Sequence, residues 1–214
     1  MLSRRKIPLL PGELYHIWTH ANGSENLFRD EMNYRFFLDK YSHHISPVAD
    51  TFAYCLLPNH LHLMVRIMSI DAFVDSKKTH QGLKNLDELD IEKFSKYISQ
   101  QFSNLFNSYT KAYNKLYGRR GGLFIPNFKR KIVDSQSYYL SLMAYIHLNP
   151  VHHGFTTRPD DWPHTSWHAY CSEKRTSIKK DDALKLLGGR DQFFRLHANT
   201  SSDDFSGFLE EDEN

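Results

Sequence analysis

His60-Leu-His-Leu-Met-Val-Arg-Ile67 alternates cleanly between two kinds of side chain, and the fold is read outward from it. In a strand, successive side chains point to opposite faces. Leu61, Leu63, Val65 and Ile67 therefore share one face, and His60, His62, Met64 and Arg66 share the other. The first face suits a hydrophobic core. The second carries two imidazoles, about 6.6–7 Å apart along the backbone by the rise of a strand. That spacing lets both rings converge on one cation. Ordinary half-buried histidines share the same spacing, so His-x-His alone is weak and needs a second element elsewhere in the chain.

The flanking segments supply a sheet and its helices. Thr51 to Leu57 reads as a buried strand closed by Pro58-Asn59, and Tyr15 to Thr19 as a strand ending near the Asn22-Gly23 turn. A helix is expected from Asp30 to Tyr41. Residues 68–90 are polar and unpatterned and read as a long connection. From about Ile91 to Tyr117 the residues Phe94, Tyr97, Ile98, Phe102, Leu105, Phe106, Tyr109, Tyr113 and Leu116 form a core stripe at helical spacing, ended by Gly118. Leu123 to Val133 holds another strand, limited in its pairing by Pro126. A helix capped by Asp134 or Ser135 then runs to about Leu148, where Asn149-Pro150 is expected to stop it. Hairpin-linked strands with intervening helices predict an α+β fold: an antiparallel sheet with helices packed on one face.

Composition narrows the partners. With 214 residues, 40% hydrophobic and 14% aromatic, the chain can bury a core. It has no apolar run long enough to span a membrane and no secretory-type N-terminus. Two cysteines, Cys55 and Cys171, make neither a disulfide framework nor a metal knuckle, which suits a reducing cytoplasm. The net charge of +2 conceals an asymmetry: residues 200–214 hold six acidic residues and no Lys or Arg, leaving 27 basic against 19 acidic residues before them. Lys111, Lys115, Arg119, Arg120, Lys129, Arg130 and Lys131 fall in one stretch without an acidic residue. That concentration suits nucleic acid, although a solvated basic turn has the same composition. The acidic tail reads as mobile.

The second element is Tyr145 and Asn149, four residues apart and so on one helical face. If that face lies over the histidines, Asn149 can offer an amide oxygen as a third ligand, and Tyr145 can place its phenol beside a metal-bound phosphate. Two neutral nitrogens and an amide oxygen leave a divalent ion's charge largely uncancelled and positions open, which suits Mg²⁺ or Mn²⁺ acting as a Lewis acid. His147 points away from that face and reads as structural. On residues alone, Tyr145 could equally be a packing aromatic.

The motifs together resemble the HUH single-tyrosine transposases, in particular the REP-associated tyrosine transposases related to the IS200-like enzymes. The resemblance runs from about Pro11 to Tyr170 and rests on Tyr15-His16-Ile17, Asn26-Leu27-Phe28-Arg29-Asp30, Tyr54 to Leu63, Phe128 to Lys131, Tyr145 to Val151, and Asp161-Trp162-Pro163 with Ser166. It implies a catalytic domain over residues 1–170 with a ferredoxin-like, RRM-like palm, and a C-terminal segment over 171–214. It further implies His60, His62 and Asn149 as metal ligands, Tyr145 as nucleophile, and cleavage and rejoining of single-stranded DNA through a 5′-phosphotyrosine link. The DNA of such proteins often carries a hairpin or palindrome; a bacterial cytoplasm is the implied setting, and some relatives work as homodimers. One departure is visible: His152 stands where the family often has Lys or Arg, which weakens any phosphate contact there. Two other readings remain open: a non-catalytic or domesticated nucleic-acid-binding protein on the same fold, and a hydrolytic nuclease in which Tyr145 is structural.

Overall fold

The computed structural model describes residues 7–77 and 90–200, together with Phe205 and Phe208. Four strands form one sheet: β1 (Leu14–His20), β2 (Ala49–Leu56), β3 (His60–Ile67) and β4 (Lys129–Ile132), in the order β2-β3-β1-β4 with antiparallel neighbours throughout. With α1 (Glu31–His44) between β1 and β2, and α3 (Ile91–Leu116) between β3 and β4, this is the βαββαβ arrangement of a ferredoxin-like fold. The strand carrying both histidines is thus interior, paired with β1 on one side and β2 on the other.

The alternation in β3 holds. Leu61, Leu63, Val65 and Ile67 are buried against α1 residues Tyr34, Phe37 and Tyr41 and α3 residues Phe94, Ile98, Phe102 and Leu105. Asp30 and Asp90 cap the two helices, each side chain accepting from the backbone N–H three residues on. Leu116 ends the predicted stripe but lies exposed. The α3 phenols anchor the segment before α1: Tyr109 donates to the Leu27 carbonyl and Tyr113 to that of Asn26. The Leu27 and Phe28 amides in turn bond the Pro58 carbonyl. That chain of bonds fixes the β2–β3 turn from which His60 emerges.

Two expectations change. The connection after β3 is not wholly irregular, because α2 (Ile70–Lys77) lies in it and buries Phe73; residues 78–89 of that connection lie outside those described. The last long helix, α4 (Gln136–His152), does not stop at Asn149-Pro150 but runs through it, with Pro150 in the final turn. The proline nitrogen cannot bond the Ile146 carbonyl one turn back, so α4 continues through Pro150 with one ladder bond missing. Its last carbonyls are taken up beyond it: the His153 amide bonds Asn149, and those of Phe155 and Thr156 bond Pro150.

The helix layer expected against one face is α1 and α3. The opposite face is covered by α4, followed by a 3-10 turn (Pro159–Asp161), α5 (Trp167–Cys171), α6 (Lys180–Leu187) and α7 (Arg190–Asn199). Met64, Phe52, Ala53 and Cys55 pack there with Leu142, Met143, Tyr145 and Ile146 of α4 and with Ala183, Leu187 and Phe193. All of His60 to Val65 is therefore buried, on both faces. No helix among the described residues is long and apolar enough to cross a membrane.

A buried polar chain ties this second layer together. His147 Nδ1 lies 3.0 Å from His197 Nε2, His147 Nε2 lies 2.8 Å from Ser166 Oγ, and His197 Nδ1 donates to the Phe193 carbonyl. His147 thus points away from the β3 histidines, as its position in the sequence required. Burial pushes both imidazoles down, His197 to about 4 and His147 well below its ordinary value. Unfolded histidines take up protons near about pH 6.5 that these folded ones refuse. Their contribution to stability is therefore complete above that pH and declines as pH falls toward about 4. The urea midpoint should drop between pH 7 and pH 5, and His197→Gln should flatten the drop; a midpoint independent of pH over that window would contradict the burial account.

Candidate metal and nucleophile site

The face of the sheet opposite α1 and α3 brings three strands' polar side chains together. Cross-strand neighbours share a face, and the register pairs His60 with His20, His62 with Trp18, and Met64 with His16. On the far side of β1, Trp18 pairs with Lys129 and His16 with Lys131. The result is a row of rings, His16 stacked on Trp18 at 4.4 Å and His20 on His60 at 4.9 Å, bordered by two lysines.

α4 lies across this row. Tyr145 meets His62 edge to face, with centroids 5.1 Å apart. One turn later Asn149 Oδ1 lies 3.0 Å from His60 Nε2. All four side chains are buried, Tyr145, His62 and Asn149 completely. The structure thus brings together His60, His62, Tyr145 and Asn149, the four residues the sequence singled out.

The hydrogen bonding around His60 has a specific chemical meaning. Its Nδ1 lies 2.9 Å from the Asn59 Oδ1 and its Nε2 3.0 Å from the Asn149 Oδ1, and a neutral ring can donate to only one of them. With the proton on Nε2 that nitrogen donates to the Asn149 oxygen; with it on Nδ1, Nε2 presents a lone pair to that oxygen, two electron-rich atoms 3.0 Å apart. A cation accepting from both makes that arrangement favourable. Asn149 Nδ2 is buried without a hydrogen-bond partner among the described residues, as expected when the amide is turned to offer its oxygen inward. No group of three or more His, Cys, Asp or Glu among the described residues is placed to hold a metal. The set on offer is instead two imidazoles and an amide, too few and too neutral for a tight structural site.

Tyr145 is not open to solvent. Phe208 stacks on its ring at 4.4 Å and 9°, and Phe205 meets it at 5.2 Å. Phe208 also stacks on Tyr138, at the start of α4. The mobility expected for residues 200–214 falls largely outside the described residues, but these two phenylalanines of the acidic tail are buried against the candidate nucleophile.

The basic stretch separates into parts. Lys129 and Lys131 lie on the histidine side of β4, with Lys131 Nζ 4.7 Å above the Tyr138 ring. Arg130 points to the other face, where it sits over Phe128 and donates to Ser99, and burial lowers its pKa. Arg119 is engaged by the Glu25 carboxylate and the Gly122 carbonyl and is mostly buried. Lys111 and Lys115 are exposed on α3, on the far side of the sheet, with Arg120 exposed just beyond it. Sequence reasoning missed His16, Trp18, Tyr138, Phe205 and Phe208 as members of the site. The same alternation that sorted β3 would have placed His16, Trp18 and His20 on one face of β1.

No family model matches the chain. Over 121 residues it is 26% identical to a REP-associated tyrosine transposase of Haemophilus influenzae, a match covering 56% of this chain and 59% of that protein. The match thus spans less than two thirds of the curated relative's length. Among solved structures the chain is similar to a REP-associated tyrosine transposase bound to a REP hairpin. That match has a TM-score of 0.53 and 16% identity, over 81% of this chain and 87% of the other. It bears on the fold, which is the α+β architecture the sequence predicted. The resemblance read from the motifs agrees with the sequence match, and the fold with the structural one.

If Phe208 covers Tyr145 as described, Phe208→Ala should accelerate nitration of Tyr145 by tetranitromethane, followed by peptide mass spectrometry. Tyr109, buried in the other core, is the internal reference. Equal rates at Tyr145 in both proteins would show that Phe208 does not shield it.

Proposed function

We propose that the chain cleaves and rejoins single-stranded DNA, with Tyr145 attacking a phosphodiester and His60, His62 and Asn149 holding one divalent cation, Mg²⁺ or Mn²⁺. What carries the reading is the single helix–strand contact that sets Tyr145 against His62 and Asn149 against His60. The donor set fits such an ion: two neutral imidazoles and an amide leave its charge largely uncancelled and leave positions for phosphate oxygens and water. When bound, the cation supplies Lewis-acid polarisation of the scissile phosphate.

The chain's own groups account for the rest. The Tyr145 oxygen bonds to phosphorus as the bond from phosphorus to the 3′ oxygen breaks. The phenol gives up its proton, and the departing oxygen takes one up to become a 3′-OH. The product is a 5′-phosphotyrosine link that conserves the phosphodiester, so attack by a different 3′-OH rejoins strands without a nucleotide cofactor. Lys129 and Lys131, beside the ring row, are the proposed contacts to the DNA backbone. The proposed substrate carries a hairpin or palindrome, the kind of DNA held by the similar solved structure. For the chemistry to occur Phe205 and Phe208 must leave the Tyr145 ring, because no phosphate can reach a covered phenol. That covering also favours the second reading, a DNA-binding protein on the same fold that no longer cuts.

Incubation with labelled hairpin-bearing single-stranded DNA and Mg²⁺ or Mn²⁺ separates them. The expected outcome is a denaturant-stable protein–DNA adduct, lost in Tyr145→Phe; His62→Ala should lose cleavage while still binding DNA. Binding without an adduct would support the non-cutting reading, and cleavage persisting in Tyr145→Phe would support a hydrolytic nuclease. The lysines are tested separately: Lys129→Ala and Lys131→Ala should each weaken DNA binding across sequences and reduce the salt slope of log K by roughly 1. Unchanged slopes would place the DNA elsewhere.

A further inference from the structure

His16 lies beside the site, on the strand next to that of His62. It is almost fully buried on β1, two residues out of register from His62 on the neighbouring strand, and its Nε2 is 3.0 Å from His62 Nδ1. Its ring is fixed from both sides, stacked on Trp18 at 4.4 Å and 18° and meeting Phe208 edge to face at 6.2 Å. Its other nitrogen, Nδ1, lies 3.4 Å from the Tyr138 hydroxyl, in the first turn of α4. His16 therefore bridges the start of the tyrosine helix to the middle histidine of the sheet.

We infer that His16 is a positioning residue that sets the tautomer and ring orientation of His62 by accepting a hydrogen bond from its Nδ1–H. The reasoning follows from proton placement. To bind a cation through Nε2, His62 must carry its proton on Nδ1, and that proton needs an acceptor in a buried site. His16 Nε2 is at hydrogen-bond distance to receive it, and His16 then carries its own proton on Nδ1, toward the Tyr138 oxygen. His60 is held in the same way by a different group, its Nδ1 facing the Asn59 oxygen at 2.9 Å. The two proposed ligands thus have matched supports, one from the turn before β3 and one from the neighbouring strand. Metal-bound histidines are ordinarily oriented by such an acceptor on their second nitrogen, and removing it typically weakens metal binding about 10–100-fold.

This inference rests on the metal reading above, and direct titration with Mn²⁺ in the absence of DNA separates the two. Wild type, His62→Ala, His16→Leu and His16→Gln are compared by calorimetry, with circular dichroism to establish folding. His16→Leu keeps bulk but offers no acceptor and should bind Mn²⁺ about 10–100-fold more weakly. His16→Gln keeps an amide oxygen near the position of Nε2 and should recover most of the affinity. Loss in His62→Ala without loss in His16→Leu overturns this inference alone, as does a His16→Gln no better than His16→Leu. A His62→Ala that binds as tightly as wild type overturns the metal reading and this inference with it. Should His16→Leu fail to fold, the nitrogen shifts of His62 in the wild-type protein decide: a proton on Nδ1 supports the role, and a proton on Nε2 overturns it.

Discussion

Everything at this site depends on a near match of two repeats. Four residues of α-helix advance about 6 Å, and two residues of strand advance about 6.6–6.8 Å. A helix crossing a strand at close range can therefore set two of its side chains, one turn apart, against two alternate side chains of the strand. Here Tyr145 falls on His62 and Asn149 on His60. Had Pro150 ended α4 a turn earlier, Asn149 would not stay in step with Tyr145. The helix runs through the proline, and the amide is delivered to the imidazole.

The match has a consequence for burial. A ferredoxin-like sheet can leave one face open, but here α4 to α7 close the face that carries the histidines. Polar groups so enclosed need partners, since an unmet buried donor or acceptor costs about 1–3 kcal/mol. The chain supplies them in an ordered way: Asn59 for His60, His16 for His62, and Ser166 and His197 for His147. The same closure lowers the local dielectric around any charge brought to the site and so strengthens its interactions there. It also puts Tyr145 under Phe205 and Phe208, so access to the phenol is governed by those contacts.

Much of this was legible in the chain. Strict alternation from His60 to Ile67 fixed which side chains meet the core, and the α3 stripe fixed what covers it. Helical spacing up to Tyr41 placed α1, and the residue where it was expected to start, Asp30, proves to be its cap. Other features were hidden for physical reasons. A proline removes one ladder bond and crowds the carbonyl four residues back, so local rules stop α4 before it; the burial of Tyr145, Asn149 and Pro150 against the sheet overrides that preference. The basic stretch looked continuous because sequence proximity says nothing about a pleat: Lys129 and Lys131 face the site while Arg130 faces α3, and Arg119 is held by Glu25. The tail was judged by its charge, which is a property of its acidic residues, whereas its packing comes from Phe205 and Phe208. His16 was quoted as part of a motif, but its contact with His62 is long-range and set by the register of β1 on β3.

The central claim is that Tyr145, and not another phenol, is brought into line with a phosphate by the helix–strand contact. Tyr138 is the nearest competitor, on the same face of α4 and within reach of His16 and Phe208. The direct test is to digest the denatured adduct formed on single-stranded hairpin DNA and locate the nucleotide remnant by mass spectrometry. The account predicts the remnant on Tyr145 and on none of the other 11 of the chain's 12 tyrosines. A remnant on Tyr138, or spread over several tyrosines, would contradict it.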